Sequence, residues 1–82
     1  MKHEILLLGV TRELLSTDRV AIELPEEATV AELRTMLATS HPELESVLPT
    51  CAVAIDHRYR DDATPLSRTT HEIAIVPPVS GG

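Results

Sequence analysis

At 82 residues, with thirteen acidic against seven basic side chains and a formal charge of −6, the chain has room for one modest core and no second domain. The basic residues are scattered and form no stripe that could neutralise phosphates, so nucleic acid is not an expected partner. The single cysteine, Cys51, excludes an internal disulfide framework and fits a reducing compartment. The apolar run behind Met1 is far shorter than a signal h-region or a membrane span, so a cytoplasmic protein with no membrane partner is expected.

Ile5-Leu6-Leu7-Leu8, closed by Gly9, is a continuous apolar run of the kind expected for a strand buried on both faces. Thr11 to Leu15 has room for a single helical turn before the polar Ser16-Thr17-Asp18 break. Val20, Ile22 and Leu24 then alternate with Ala21 and Glu23, a strand with one wet face that forms a hairpin with the first. Thr29-Val30-Ala31-Glu32 matches a capping box, in which the hydroxyl and the carboxylate satisfy the first free N–H groups of a helix. Val30, Leu33, Met36 and Leu37 follow at helical spacing and define one apolar stripe, so a helix over residues 29–39 is expected to lie across the sheet and bury Val30, Leu33 and Leu37. Pro42 disfavours helical geometry before it and opens a second short helix, with Leu44, Val47 and Leu48 facing in and Pro49 as its stop.

Residues 52–56 read as a strand, and residues 57–62 as a turn with a short edge strand. Pro65-Leu66 marks a buried corner, and residues 72–76 a last apolar strand, interior to the sheet and next to the first. The order is β-β-α-β-(β)-β, an α+β arrangement.

Residues that could carry chemistry are sparse. His3, His41, His57 and His71 lack the spacing of a metal module, so no metal is expected. Cys51, Asp56 and His57 are poorly placed for a triad, because neighbours on a strand point to opposite faces. The three glycines are Gly9, Gly81 and Gly82, which leaves no phosphate loop and no expected bound cofactor. What stands out is the tail. A rigid Pro77-Pro78 pair, then Val79-Ser80, leads to Gly81-Gly82, a carboxylate with no Cβ beside it that can thread a narrow tunnel. A frayed end would have no reason to follow an apolar strand so directly. The division expected is a body of residues 1–76 and a tail of residues 77–82.

A β-grasp order ending in Val76-Pro77-Pro78-Val79-Ser80-Gly81-Gly82 resembles the ubiquitin-like proteins, and within them the sulfur-carrier small subunits of molybdopterin synthase. Arg12-Glu13-Leu14, residues 29–33, residues 52–56 and Pro65-Leu66 extend the resemblance over nearly the whole chain. It departs at Arg68-Thr69-Thr70-His71, where the family commonly has an Asp-Gly-Asp turn, and at Leu6-Leu7-Leu8 and Ile75-Val76, where Phe is frequent.

The resemblance implies a ubiquitin-like β-grasp fold with a mixed sheet, one main helix packed across it and an extended Gly-Gly tail. It implies a chain that is no enzyme alone but the sulfur-donating subunit of a synthase complex. Its partners would be an E1-like activating enzyme that consumes ATP, a sulfurtransferase donor, and the large catalytic subunit in a heterotetramer. Gly82 would be adenylated and converted to a thiocarboxylate that donates sulfur to a cyclic pyranopterin precursor. Gly81 would give clearance, and Val76, Pro77, Pro78, Val79 and Ser80 would bind the partner. Other carriers, for thiamin, cysteine or tRNA thiolation, share the adenylate. So do archaeal ubiquitin-like modifiers, in which Gly82 would end in an isopeptide bond. A passive β-grasp interaction module is the third class.

Overall fold

The structure is a computed structural model that describes residues 1–67, 70 and 72–78. Its described residues form a five-stranded sheet in the order β2-β1-β5-β3-β4. The strands are β1 (Lys2–Leu7), β2 (Arg19–Glu23), β3 (Ala52–Ile55), β4 (Arg58–Arg60) and β5 (Ile73–Val76). β1 and β2 form an antiparallel hairpin with Ile5 opposite Val20, and β5 lies parallel to β1 with Leu7 opposite Ile75. On its other side β5 pairs antiparallel with β3, which is why residues 73–76 are nearly all apolar: that strand has a neighbour on each edge. The mixed sheet with a helix across it is the expected β-grasp.

Helix α1 (Gly9–Leu15) is longer than the single turn its sequence suggested and follows β1 directly. Helix α2 (Val30–Ser40) starts on the expected capping box: Glu32 N–H donates to the Thr29 hydroxyl at 3.3 Å, and Thr29 N–H donates to the Glu32 carboxylate at 3.2 Å. Val30, Leu33 and Leu37 are fully buried with Ile5, Leu7, Val53, Ile73 and Ile75 in one core. Met36 leaves the expected stripe. It lies about 100° round the helix from Leu37 and is 38% exposed. The expected second helix is two 3₁₀ turns, Pro42–Leu44 and Leu48–Thr50, and Pro49 lies inside the second instead of stopping the first. Pro at an early position of such a turn sacrifices no hydrogen bond, because that N–H has no partner within the turn. Leu44 and Leu48 are buried and Val47 is half-buried.

The sheet has two unlike faces. Strand alternation sends Ile5, Leu7, Ile22, Val53, Ile73 and Ile75 beneath α2. Among the described residues the other face carries no helix, so β1 is not buried on both sides as its apolar run suggested. Leu6 is half-buried, and Leu8, just past the strand, is 36% exposed. Among the described residues, no helix is long and apolar enough to cross a membrane.

Candidate functional site

β5 delivers the C-terminal residues to the rim of the uncovered face. Because Ile75 pairs with Leu7 and Val76 with Ala52, the chain leaves the sheet between the end of β1 and the start of β3. Val76 and Pro77 are half-buried there, and Pro78 is exposed. With Thr50, Ala52 and Tyr59 these three residues line a shallow hollow of about 270 Å³. The structure therefore places Val76, Pro77 and Pro78 around one hollow. Val79, Ser80, Gly81 and Gly82 lie outside the described residues.

On the other flank of the exit stands Gly9, at φ +56°, a left-handed conformation that side chains with a Cβ rarely adopt. A Cβ placed there would meet Pro77 Cγ at 3.2 Å, so the proline ring already occupies the space beside the bare Cα.

Cross-strand register adds residues that a linear reading could not join. Arg19 faces Leu6, Leu6 faces Ala74, Ala74 faces Ala54, and Ala54 faces Tyr59, one row crossing all five strands on the uncovered face. The shorter row of Val76 and Ala52 runs beside it towards the exit. Tyr59, the sole aromatic residue of the chain, is 71% exposed at the end of the first row. An exposed ring next to small and branched aliphatics is the composition of a protein-docking surface. The signal available in sequence was that lone ring between Arg58 and Arg60 in an otherwise polar stretch.

Among the described residues, Cys51, Asp56 and His57 are not brought together. Cys51 is buried beneath the start of β3; its thiol donates to the Val47 carbonyl at 3.3 Å, and burial pushes its pKa up, the opposite of an activated thiolate. Asp56 and His57 occupy the β3–β4 turn, away from it in role and both at positive φ. Among the described residues, no group of three or more His, Cys, Asp or Glu stands ready to hold a metal. A wider hollow, about 640 Å³, lies between α2 and the second 3₁₀ turn around Arg34. There the guanidinium is already engaged, donating to Asp62 at 2.8 Å and to the Leu48 carbonyl at 2.7 Å. It serves as a brace between helix and loop.

Comparison with known proteins gives this geometry its relatives. The model of the ThiS family matches residues 5–82. The molybdopterin synthase sulfur carrier subunit of Chlamydomonas reinhardtii is 31% identical over 83 residues, covering all of both chains. Among solved structures, SAMP1 from Haloferax volcanii superposes with a TM-score of 0.87 at 24% identity over the full length of both chains, a likeness of fold. A chain in the complex of subunits 1 and 2 of the molybdopterin-converting factor from Helicobacter pylori matches with a TM-score of 0.69 and 26% identity, again over the whole of both. With its sheet order, its capped helix and this match running from β1 to the last glycine, the chain belongs to the ThiS family of ubiquitin-like β-grasp proteins, and its full-length relatives include molybdopterin synthase sulfur carrier subunits.

Proposed function

We propose that the chain is a sulfur carrier for molybdopterin synthesis, with the body of residues 1–76 as a docking module and residues 77–82 as the working tail. The observation that carries the reading is the exit geometry: among the described residues, a helix-free sheet face, apolar from Leu6 across to Tyr59, at whose rim Val76, Pro77 and Pro78 leave the sheet. A partner that grips this face receives the tail beside its own active site. The match to a named sulfur carrier subunit over the full chain supports sulfur delivery as the role of that tail.

On this reading the Gly82 carboxylate attacks the α-phosphate of ATP on an activating enzyme, releasing pyrophosphate and leaving an acyl adenylate. A sulfide equivalent from a sulfurtransferase displaces AMP, and the C–O bond to phosphate is replaced by the C–S bond of a thiocarboxylate. Inserted into the large synthase subunit, the sulfur attacks a carbon of the pyranopterin precursor and displaces an oxygen substituent from it, and hydrolysis of the resulting thioester leaves the sulfur on the precursor and returns the Gly82 carboxylate. Two such transfers make one dithiolene. This chain contributes no acid, base or metal to any step; it contributes a side-chain-poor reactant and its delivery.

The test is to incubate the protein with the activating enzyme, ATP and a sulfur donor, follow the intact mass, then add the large subunit with precursor. Replacement of one oxygen by sulfur at the C-terminus, followed by dithiolene product, is the expected result. Adenylation that ends only in attachment to lysines would make the chain a modifier instead, and wild-type activity from a chain lacking Gly82 would refute both.

A further inference from the structure

We infer that Gly9 is a positioning residue for the tail: its bare Cα is the seat against which Pro77 is held, and this seat sets the direction in which the chain leaves the body at Pro78. The inference rests on the sulfur-carrier reading and names a residue outside the tail on which delivery depends.

Two observations make Gly9 more than a convenient turn. Its left-handed φ of +56° and the 3.2, 3.7 and 3.8 Å separations from its hypothetical Cβ to Pro77 Cγ, Cδ and Cβ show a contact with no spare room on the Pro77 side. Carbon atoms rest about 3.5–4.0 Å apart, so any side chain here must push something by several tenths of an ångström. The neighbours of Gly9 are fixed. Leu7 N–H donates to the Asp18 carbonyl at 2.8 Å, and the fully buried Thr11 hydroxyl donates to the Leu8 carbonyl at 2.7 Å. Pro77, by contrast, is the first residue beyond the β5 ladder, which ends at the Ala52–Val76 pair. The part that gives way is therefore the tail.

A displacement at Pro77 changes where the chain starts its path towards a partner's active site. A misplacement of about 1 Å at a reacting centre is enough to cost about a hundredfold in rate. Docking should change less than delivery does, because the row from Arg19 to Tyr59 does not include Gly9 or Pro77.

The decisive variant is Gly9→Asn. Asparagine enters the left-handed region more readily than other side chains, which separates the added Cβ from backbone strain. The expected result is a drop of about tenfold or more in kcat for thiocarboxylate formation and for sulfur transfer, with the KM for the carrier changed less than about twofold. In a Pro77→Ala background, which removes the ring atoms that the Cβ meets, Gly9→Asn should cost less than about twofold. Equal losses in the two backgrounds, a rise in KM with kcat preserved, or wild-type kinetics would overturn the proposal.

One readout is independent of sulfur chemistry. Nuclear Overhauser contacts between Gly9 Hα and the Pro77 ring are expected in the native protein, and the amide shifts of residues 79–82 should move in Gly9→Asn but not when Pro77→Ala is also present. Absence of the contact would overturn the seat itself, whereas a native chain that shows it but never acquires sulfur would instead refute the proposed function.

Discussion

Asp56 and Glu72 hold each other by their backbones and one side chain: Asp56 N–H donates to the Glu72 carbonyl at 2.9 Å, and Glu72 N–H donates to the Asp56 carboxylate at 2.8 Å. This ties the β3–β4 turn to the residue just before β5. The turn is costly, because Asp56 and His57 both sit at positive φ, 50° and 71°, without being glycine. Asp56→Ala should destabilise by about 1–2 kcal/mol through loss of the acceptor and of a residue type that tolerates this conformation. Asp56→Asn keeps an acceptor oxygen and should be nearly neutral, whereas His57→Gly should stabilise by about 0.5–1 kcal/mol. Urea denaturation of the three variants measures this; a destabilised His57→Gly would show that the 3.8 Å contact of the imidazole with the Glu72 carboxylate outweighs backbone strain.

Burial on α2 separates two residues that sequence placed on one stripe. Leu33→Ala should cost about 2–5 kcal/mol, since a fully buried side chain leaves a cavity that the surrounding strands cannot fill. Met36→Ala, at an exposed position, should stay within about 0.5 kcal/mol. Thermal melts of the pair check the orientation of the helix, and equal losses would reject it.

Acid should weaken the fold through His3. Burial lowers its pKa below 6.5, the positive N-terminal amine of Met1 lowers it further, and Glu23 opposes both. Its Nε2 is buried with no hydrogen-bond partner among the described residues, so a proton placed there gains nothing in the fold. The unfolded chain therefore binds that proton more readily. The stability from neutral His3 is fully present above pH 6.5 and declines as pH falls below it, down through the folded pKa. Melting temperature followed from pH 8 to pH 5 should fall, and the His3→Gln variant should show a shallower slope; identical slopes would place the acid sensitivity elsewhere.

The open sheet face predicts an order of importance for partner binding. Tyr59→Ala should weaken association with the large synthase subunit by roughly tenfold, about 1.4 kcal/mol, and Val76→Asp by more, because a charge would be buried at the exit hollow. Glu27→Lys, on the turn before α2, should change affinity less than about twofold. Calorimetric titration ranks the three, and a Glu27→Lys loss as large as that of Tyr59→Ala would move the interface off this face.

The sequence made the elements legible where one local rule dominates. The Thr29–Glu32 capping box fixed the start of α2, and the unbroken Ile73-Ala74-Ile75-Val76 run announced a strand with neighbours on both edges. It was silent where structure depends on partners distant in the chain. The left-handed Asp56-His57 pair carries no glycine to announce it, because the Glu72 contacts supply the compensation. The row from Arg19 to Tyr59 exists only through register, which a single strand does not encode. The tail motif was legible as composition, yet the pairing of Gly9 with Pro77 required β1 and β5 to lie parallel.

Lys2 is the only lysine of the chain, exposed on β1 opposite Glu23, while the Met1 amine is held by the Leu24 carbonyl. From Lys2 to Leu7 is five strand residues, about 17 Å, and the tail departs beyond the far end of that span. An amine-reactive fluorophore would thus find one lysine ε-amino group per molecule, at the end of β1 opposite the one beside which Val76 leaves the sheet. The protein comes with its own handle for single-site labelling, and a dye carried there can report on docking by fluorescence without crowding the exit of β5.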